Sequence, residues 1–116
     1  MDTKTLDQYQ LAITQVFQEW EALPAAGSVF RIIGVADRER NRYLLEHVES
    51  GGAQPIARTL AYLEISQGKI WVQVDNTETG IATQLVAAGI PKSQIVLGFY
   101  PPAMPERADL ANHPDA

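Results

Sequence analysis

The stretch Gly68–Phe99, GKIWVQVDNTETGIATQLVAAGIPKSQIVLGF, contains the signals that decide the fold. Its first part, Lys69–Asp75, alternates between two sets of side chains, as a strand does. Gly80–Ala88 then places its apolar residues at helical spacing, and Gly89 ends that helix. The last part, Ile95–Phe99, is apolar and short enough for a buried strand. The stretch therefore predicts a strand, a helix and a second strand in succession.

The residues before this stretch predict a helix and three more strands. Apolar residues recur at spacings of three and four along Thr5–Leu23, which is typical of an amphipathic helix. Strand patterns follow at Ser28–Asp37, Arg42–Glu49 and Ile56–Ser66, separated by turn residues. Because a run of strands lies between helices, we predict an α+β fold. Its parts are an N-terminal helix, a four-stranded largely antiparallel meander, a second helix, a short final strand and a Pro-rich C-terminal tail.

Two further details of this fold follow from local patterns. Thr5 and Gln8 have the spacing of a capping box, so we expect them to begin the first helix. The strand Ser28–Asp37 has apolar residues on both faces, so we expect it to be central in the sheet or covered on both sides. We expect the helices to cover one face of the sheet.

Length and composition predict one domain at residues 1–100 and an extended tail at residues 101–116. The chain has 116 residues, of which 46% are hydrophobic and 20% charged, as in ordinary globular proteins. The tail is rich in proline and poor in large apolar residues, which disfavours a stable element. The absence of cysteine fits a reducing compartment, and neither a signal peptide nor a membrane-spanning run is recognisable. We therefore predict a cytoplasmic protein.

The chain lacks the sequence motifs of common catalytic and nucleotide-binding sites. It has no Walker A motif, no dinucleotide-binding glycine motif, no nucleophile elbow and no zinc-protease motif. Its two histidines are isolated, and His47 is better explained as a packed or surface strand residue than as a ligand. We therefore predict no catalytic residue, no cofactor and no metal.

The strongest candidates for contact with another protein lie in the strand and turn of the opening stretch. Trp71, Gln73 and Asp75 share one predicted strand face, and Glu78 lies in the adjoining turn. Tryptophan is often the anchor of an interface. The turn also has a simpler explanation, since its polar residues cap a helix and Glu78 complements the helix dipole.

A second candidate surface is the turn that contains Arg38, Arg40 and Arg42. Three arginines at a hairpin tip are a possible nucleic-acid contact, although Asp37 and Glu39 are interleaved with them. The formal net charge of −5 argues against a stand-alone nucleic-acid-binding protein, because phosphate groups require a positive face. A solvated loop of mixed charge is the better explanation.

The segment GKIWVQVDNTETGIATQLVAAGIPKSQIVLGFYPP closely resembles the signature of the XisI-like family, the fdxN element excision controlling factor proteins of cyanobacteria. The resemblance implies a role in programmed DNA excision during heterocyst differentiation. It also implies a XisH-like partner protein, action alongside a site-specific recombinase, and no catalytic residue set. The resemblance weakens after the two prolines, where Arg107 is followed by residues that do not match the family ending.

Three other interpretations remain open from the sequence. The chain is alternatively a direct DNA-binding module that uses its arginine hairpin, with binding that weakens as salt rises. It is alternatively a small-ligand-binding domain with a pocket between helix and sheet. An unpaired strand edge would also allow a homodimer.

Overall fold

A computed structural model describes residues 1–23, 30–50 and 54–98 of the chain. In chain order the elements are helix α1 (Thr3–Glu21), strands β1 (Phe30–Asp37), β2 (Arg42–Glu49), β3 (Ile56–Ser66) and β4 (Lys69–Asp75), helix α2 (Ile81–Ala87), a 3-10 turn (Lys92–Gln94) and strand β5 (Ile95–Leu97). This order confirms the predicted α+β fold. The predicted tail and the predicted end of the last strand at Phe99 lie outside the described residues.

The strands form one five-stranded sheet in the order β1-β2-β3-β4-β5. Strands β1 to β4 pair antiparallel with their neighbours, whereas β5 pairs parallel to β4. A parallel neighbour needs a connection that crosses over, and α2 lies in that connection. The sheet is therefore largely antiparallel, as predicted.

Strand β1 lies at the edge of the sheet, so the prediction that it is central or covered on both sides is wrong. Among the described residues it pairs with β2 alone. Val35 is 50% exposed and Ala36 is exposed as well. The prediction failed because the apolar residues of a strand face the layers above and below the sheet. They carry no information about whether a second strand lies beside it.

Helix α1 begins two residues earlier than predicted, and its capping residue is Asp2 rather than Thr5. The Asp2 carboxylate accepts a hydrogen bond of 2.7 Å from the backbone N–H of Thr5. This backbone hydrogen bond lowers the pKa of Asp2 below its ordinary value. The expected capping box fails because Thr5 already lies in the first turn, where its own N–H needs an acceptor.

The core lies between the two helices and one face of the sheet. Side chains from α1, α2 and the strands form one buried cluster, whose largest members include Tyr9, Ile13, Leu45, Leu63, Ile70 and Leu85. The Trp20 indole N–H donates to Gln84 Oε1 at 2.8 Å and joins α1 to α2. Both helices therefore cover the same face, as expected, and the opposite face of the sheet carries neither of them.

Candidate functional site

The face of the sheet opposite the helices is the largest surface of strand residues that α1 and α2 leave uncovered. Leu45, Leu63 and Val72 are fully buried on the helix side. Because successive side chains of a strand alternate, their neighbours point the other way. We call this surface the outer sheet face; the residues that line it include Ile33, Val35, Leu44, Tyr62, Glu64 and Trp71. Val96 lies on the same side of β5 but is only 6% exposed.

Trp71 lies near one side of the outer sheet face, on strand β4, which has β3 on one side and β5 on the other. It pairs with Glu64 on β3 and with Val96 on β5. Its indole N–H donates to the backbone carbonyl of Ser66 at 2.9 Å, so the ring is held by a hydrogen bond within the hairpin. The side chain is half-buried. A positioned and partly exposed tryptophan has the character of an interface anchor.

Tyr62 and Glu64 form a polar pair beside Trp71. The Tyr62 hydroxyl donates to Glu64 Oε1 at 2.7 Å. Burial of the ring, the hydrogen bond and the nearby carboxylate together raise the pKa of Tyr62. These two residues were not among the sequence candidates. Their alternation within β3 was visible, but only the pairing of β3 with β4 shows that Glu64 adjoins Trp71.

The prediction that Asp75 shares a face with Trp71 is wrong, because strand β4 contains a bulge. Leu63 pairs with Val72, whereas the next β3 residue, Tyr62, pairs with Val74. One extra β4 residue is therefore inserted, and the alternation of faces reverses after it. Asp75 accordingly pairs with the fully buried Ala61 and lies on the helix side of the sheet.

On the helix side, Asp75 organises the turn before α2. Its Oδ2 accepts a hydrogen bond of 2.9 Å from the N–H of Ile81, the first residue of α2. Its Oδ1 accepts from the N–H and the hydroxyl of Thr77 at 3.0 and 2.6 Å. Thr77 Oγ1 in turn accepts from the N–H of Gly80 at 3.0 Å. Polar side chains of the turn thus hold the start of α2, as expected, but the acceptor for its first N–H is Asp75. The expectation that Glu78 lies in the first turn of the helix is wrong, because α2 begins only at Ile81.

The other two candidate contact residues also lie apart from Trp71. Gln73 is the inserted residue of the bulge. Its amide packs so closely on Gly98 that a Cβ atom at position 98 would overlap it. Glu78 is exposed in the turn that Asp75 organises. The four candidates therefore do not form one surface, and Trp71 is the one that lies on the outer sheet face beside Glu64 and Val96.

The arginine hairpin is a turn closed by Asp37. The Asp37 carboxylate accepts from the N–H of Arg40 at 3.0 Å and from its guanidinium at 3.1 Å. The first of these bonds is the main cause that lowers the pKa of Asp37. Arg38 is exposed at the tip, whereas Arg42 lies on β2 opposite Asp37. The three arginines are thus divided between tip and strand, and one of them is paired.

The remaining sequence candidates have structural surroundings in the described part of the chain. His47 lies 4.7 Å, centroid to centroid, from the ring of Phe30, and its Nδ1 is 3.8 Å from Glu49 Oε1. Within residues 1–23, 30–50 and 54–98, no three His, Cys, Asp or Glu side chains cluster as metal ligands. No helix in these ranges is both long and apolar enough to cross a membrane.

An open groove lies between α1 and α2. It has a volume of about 630 Å³ and is lined mostly by glutamine, glutamate and alanine side chains, among them Gln15, Glu19, Gln84 and Ala88. Ligand pockets are usually more apolar and aromatic than this groove. None of the described residues that line it is aromatic.

Comparison with known proteins places this architecture in one family. The family model described as XisI protein matches residues 1–112. No curated protein matches the chain. The crystal structure of a XisI-like protein from Anabaena variabilis is 29% identical, with a TM-score of 0.78 over 90% of this chain and 95% of that one.

A second solved structure agrees with the first. The fdxN element excision controlling factor XisI from Anabaena variabilis is 28% identical, with a TM-score of 0.66 over 85% of this chain and 96% of that one. The resemblance seen in Gly68–Phe99 thus extends to the N-terminal helix and to the three strands that precede this stretch. The family match covers nearly the whole chain, and the chain belongs to the XisI family.

Proposed function

We propose that this chain controls the excision of a DNA element and does so without catalysing a reaction itself. Membership of the XisI family carries the proposal, because a solved relative of similar length is named as an fdxN element excision controlling factor. That name describes control of a reaction rather than the reaction. The chain then acts in the cytoplasm as an accessory to site-specific recombination.

An accessory role requires contact with the proteins that carry out the recombination. We infer a XisH-like protein as the direct partner and a site-specific recombinase as the enzyme that the pair controls. The formal net charge of −5 supports contact with protein rather than with phosphate. The hydrogen bonds between Arg40 and Asp37 support the same inference, since they occupy one of the three hairpin arginines.

The outer sheet face is the surface we infer for the XisH-like partner. It combines half-buried apolar side chains, Leu44 and Trp71, with the polar pair of Tyr62 and Glu64. Interfaces commonly have an aromatic anchor surrounded by hydrogen-bonding groups. We expect the partner to bring an apolar pocket for the indole and a donor for the Glu64 carboxylate.

A capture experiment tests this surface. The chain is immobilised and incubated with a purified XisH-like protein. We expect Trp71→Ala to weaken capture at least about tenfold, since a tryptophan that anchors an interface contributes on the order of 2 kcal/mol or more to binding. Leu11→Ala is the matched control, because Leu11 is 58% exposed on α1, away from the outer sheet face.

Two outcomes would contradict the proposal at different levels. Unchanged capture by a folded Trp71→Ala variant removes the outer sheet face as the partner surface. At the level of function, the gene is deleted and the excised DNA junction is quantified by amplification. If excision proceeds at the same rate in the deletion strain, the role in excision control is wrong.

A further inference from the structure

The free edge of strand β1 is a second candidate surface, and it borders the outer sheet face on the side away from Trp71. Among the described residues, β1 pairs with β2 on one side and with no strand on the other. Its sequence FRIIGVAD contains neither proline nor lysine, and its pairing with β2 has no bulge. Proline, lysine and bulges are among the features with which proteins protect an edge, because exposed backbone groups pair readily with another strand. The charged residues of β1 are Arg31 and Asp37.

The sequence of β1 is complementary to itself in the antiparallel direction. Two copies placed about a two-fold axis at Gly34 bring Arg31 of one copy opposite Asp37 of the other. The same arrangement brings Ile33 opposite Val35. Each opposing pair occurs twice because of the symmetry. Opposite charges and apolar side chains directly across from each other are the combinations that stabilise antiparallel strands.

The faces of the sheet agree with this arrangement. Arg31, Ile33, Val35 and Asp37 all lie on the outer sheet face, since they alternate with the helix-side residue Gly34. A two-fold axis perpendicular to the sheet keeps the outer faces of both copies on the same side. The opposing residues of each pair therefore point in the same direction, as antiparallel pairing requires.

Neighbouring registers lose the complementarity. Centring the axis on Ile33 places Arg31 opposite Val35, and centring it on Val35 places Ile33 opposite Asp37. Both alternatives put a charge against an apolar side chain. The Asp37 carboxylate retains acceptor capacity for Arg31, because its two bonds to Arg40 leave lone pairs free.

A cleft between α1 and β1 opens at the same edge. It has a volume of about 170 Å³, and its lining includes Thr14, Phe17, Gly34 and Tyr43. The Thr14 and Tyr43 hydroxyls are buried and have no hydrogen-bond partner within the described ranges. A second copy beside β1 would cover this cleft, which a single copy leaves open.

We propose that two copies of this chain associate through their β1 strands, in antiparallel register about Gly34, so that their sheets join into one continuous sheet. The dimer would then present two outer sheet faces side by side. This association is independent of the partner contact proposed above.

The Glu21 side chain opposes the association, so its replacement provides a test in which the dimer should become stronger. A Cβ atom on Gly34 would lie 3.0 Å from the Glu21 carboxylate, so Glu21 sits above the proposed axis. The symmetry brings the two Glu21 carboxylates toward each other, and like charges repel. We expect Glu21→Gln to strengthen the dimer.

Sedimentation velocity of the full-length chain over a range of concentrations provides the test. We expect a dimer, with Arg31→Asp and Asp37→Arg each weakening it at least about tenfold by placing like charges opposite each other. The combined variant exchanges the two charges and should restore the dimer. Val35→Lys is a variant that leaves the Asp37 turn intact and should also weaken it.

The outcomes separate this proposal from its alternatives. A monomer at every concentration overturns it. A dimer that persists in Arg31→Asp, Asp37→Arg and Val35→Lys overturns it as well. A dimer that is weakened by Trp71→Ala and by none of these three forms through the outer sheet face, and this result also overturns the proposal. A monomer that still captures the XisH-like protein overturns the dimer alone and leaves the proposed function standing.

Discussion

The sequence made Asp75 a candidate for contact with a partner protein, but its carboxylate stabilises the fold. Its two oxygens accept hydrogen bonds from Thr77 and from the N–H of Ile81. Helix α2 has seven residues and is too short to be stable by itself. A carboxylate at its first N–H satisfies a donor that no residue of the helix can satisfy. The primary role we infer for Asp75 is therefore to begin α2.

We expect Asp75→Ala to lower the free energy of unfolding by about 1–2 kcal/mol, as loss of a helix-capping acceptor does. The measurement is urea denaturation followed by circular dichroism. Glu78→Ala is the control, because Glu78 is exposed in the same turn, and its change should stay within about 0.5 kcal/mol. Equal effects of the two substitutions would contradict the assignment of Asp75.

At the scale of the elements, helix α1 is attached to the sheet by Tyr9 at one end. The Tyr9 hydroxyl lies 2.8 Å from the carbonyl of Gly68 and 2.6 Å from Gln94 Oε1. These acceptors belong to the β3–β4 turn and to the segment before β5. The ring itself is 1% exposed, so the hydroxyl reaches these acceptors through the core. A single side chain thereby connects α1 to the residues that directly precede both strands of the parallel β4–β5 pair.

Tyr9→Phe should lower the free energy of unfolding by about 1–2 kcal/mol, because it removes a donor and leaves its acceptors without a partner. Tyr43→Phe is the matched control. Tyr43 is also 1% exposed, but its hydroxyl has no partner in the described ranges. Its loss should be neutral or stabilising within about 0.5 kcal/mol. Chemical denaturation measures both, and a larger loss for Tyr43→Phe would contradict this account.

At the scale of the whole molecule, Tyr9, Tyr43 and Tyr62 respond to burial in the same direction. Burial is the largest cause in each case and raises the pKa of each hydroxyl above its ordinary value. Each hydroxyl must therefore stay protonated in the folded state to a higher pH than in the unfolded state. Their contribution to stability is complete below the unfolded-state pKa and is lost as the pH rises through the folded-state pKa.

We therefore expect the urea midpoint to fall as the pH rises through about 10, the ordinary pKa of tyrosine. Tyr43→Phe should make this fall shallower, since it removes one of the titrating groups. The measurement is urea denaturation at a series of alkaline pH values, with tyrosinate absorbance recorded alongside. A midpoint that is independent of pH in this range would show that the hydroxyl groups do not contribute to stability.

Much of the fold was predictable because it depends on residues close together in the chain. The bounds of β2, β3 and β4 agree with their predicted ranges, and α2 differs by one residue at each end. Period-2 and helical spacings are local, and glycine and proline end the elements locally as well. Trp71 could be proposed as a contact residue from its place in β4, but the Tyr62–Glu64 pair beside it could not.

The sequence by itself determined the order of the elements and the family of the protein. Only the tertiary structure decided that β1 is an edge strand and that Asp75 faces the helices. An edge is defined by the absence of a neighbouring strand, which a strand's own residues do not encode. The bulge at Gln73 depends on how β3 pairs with β4, and the insertion of one residue reverses every face after it.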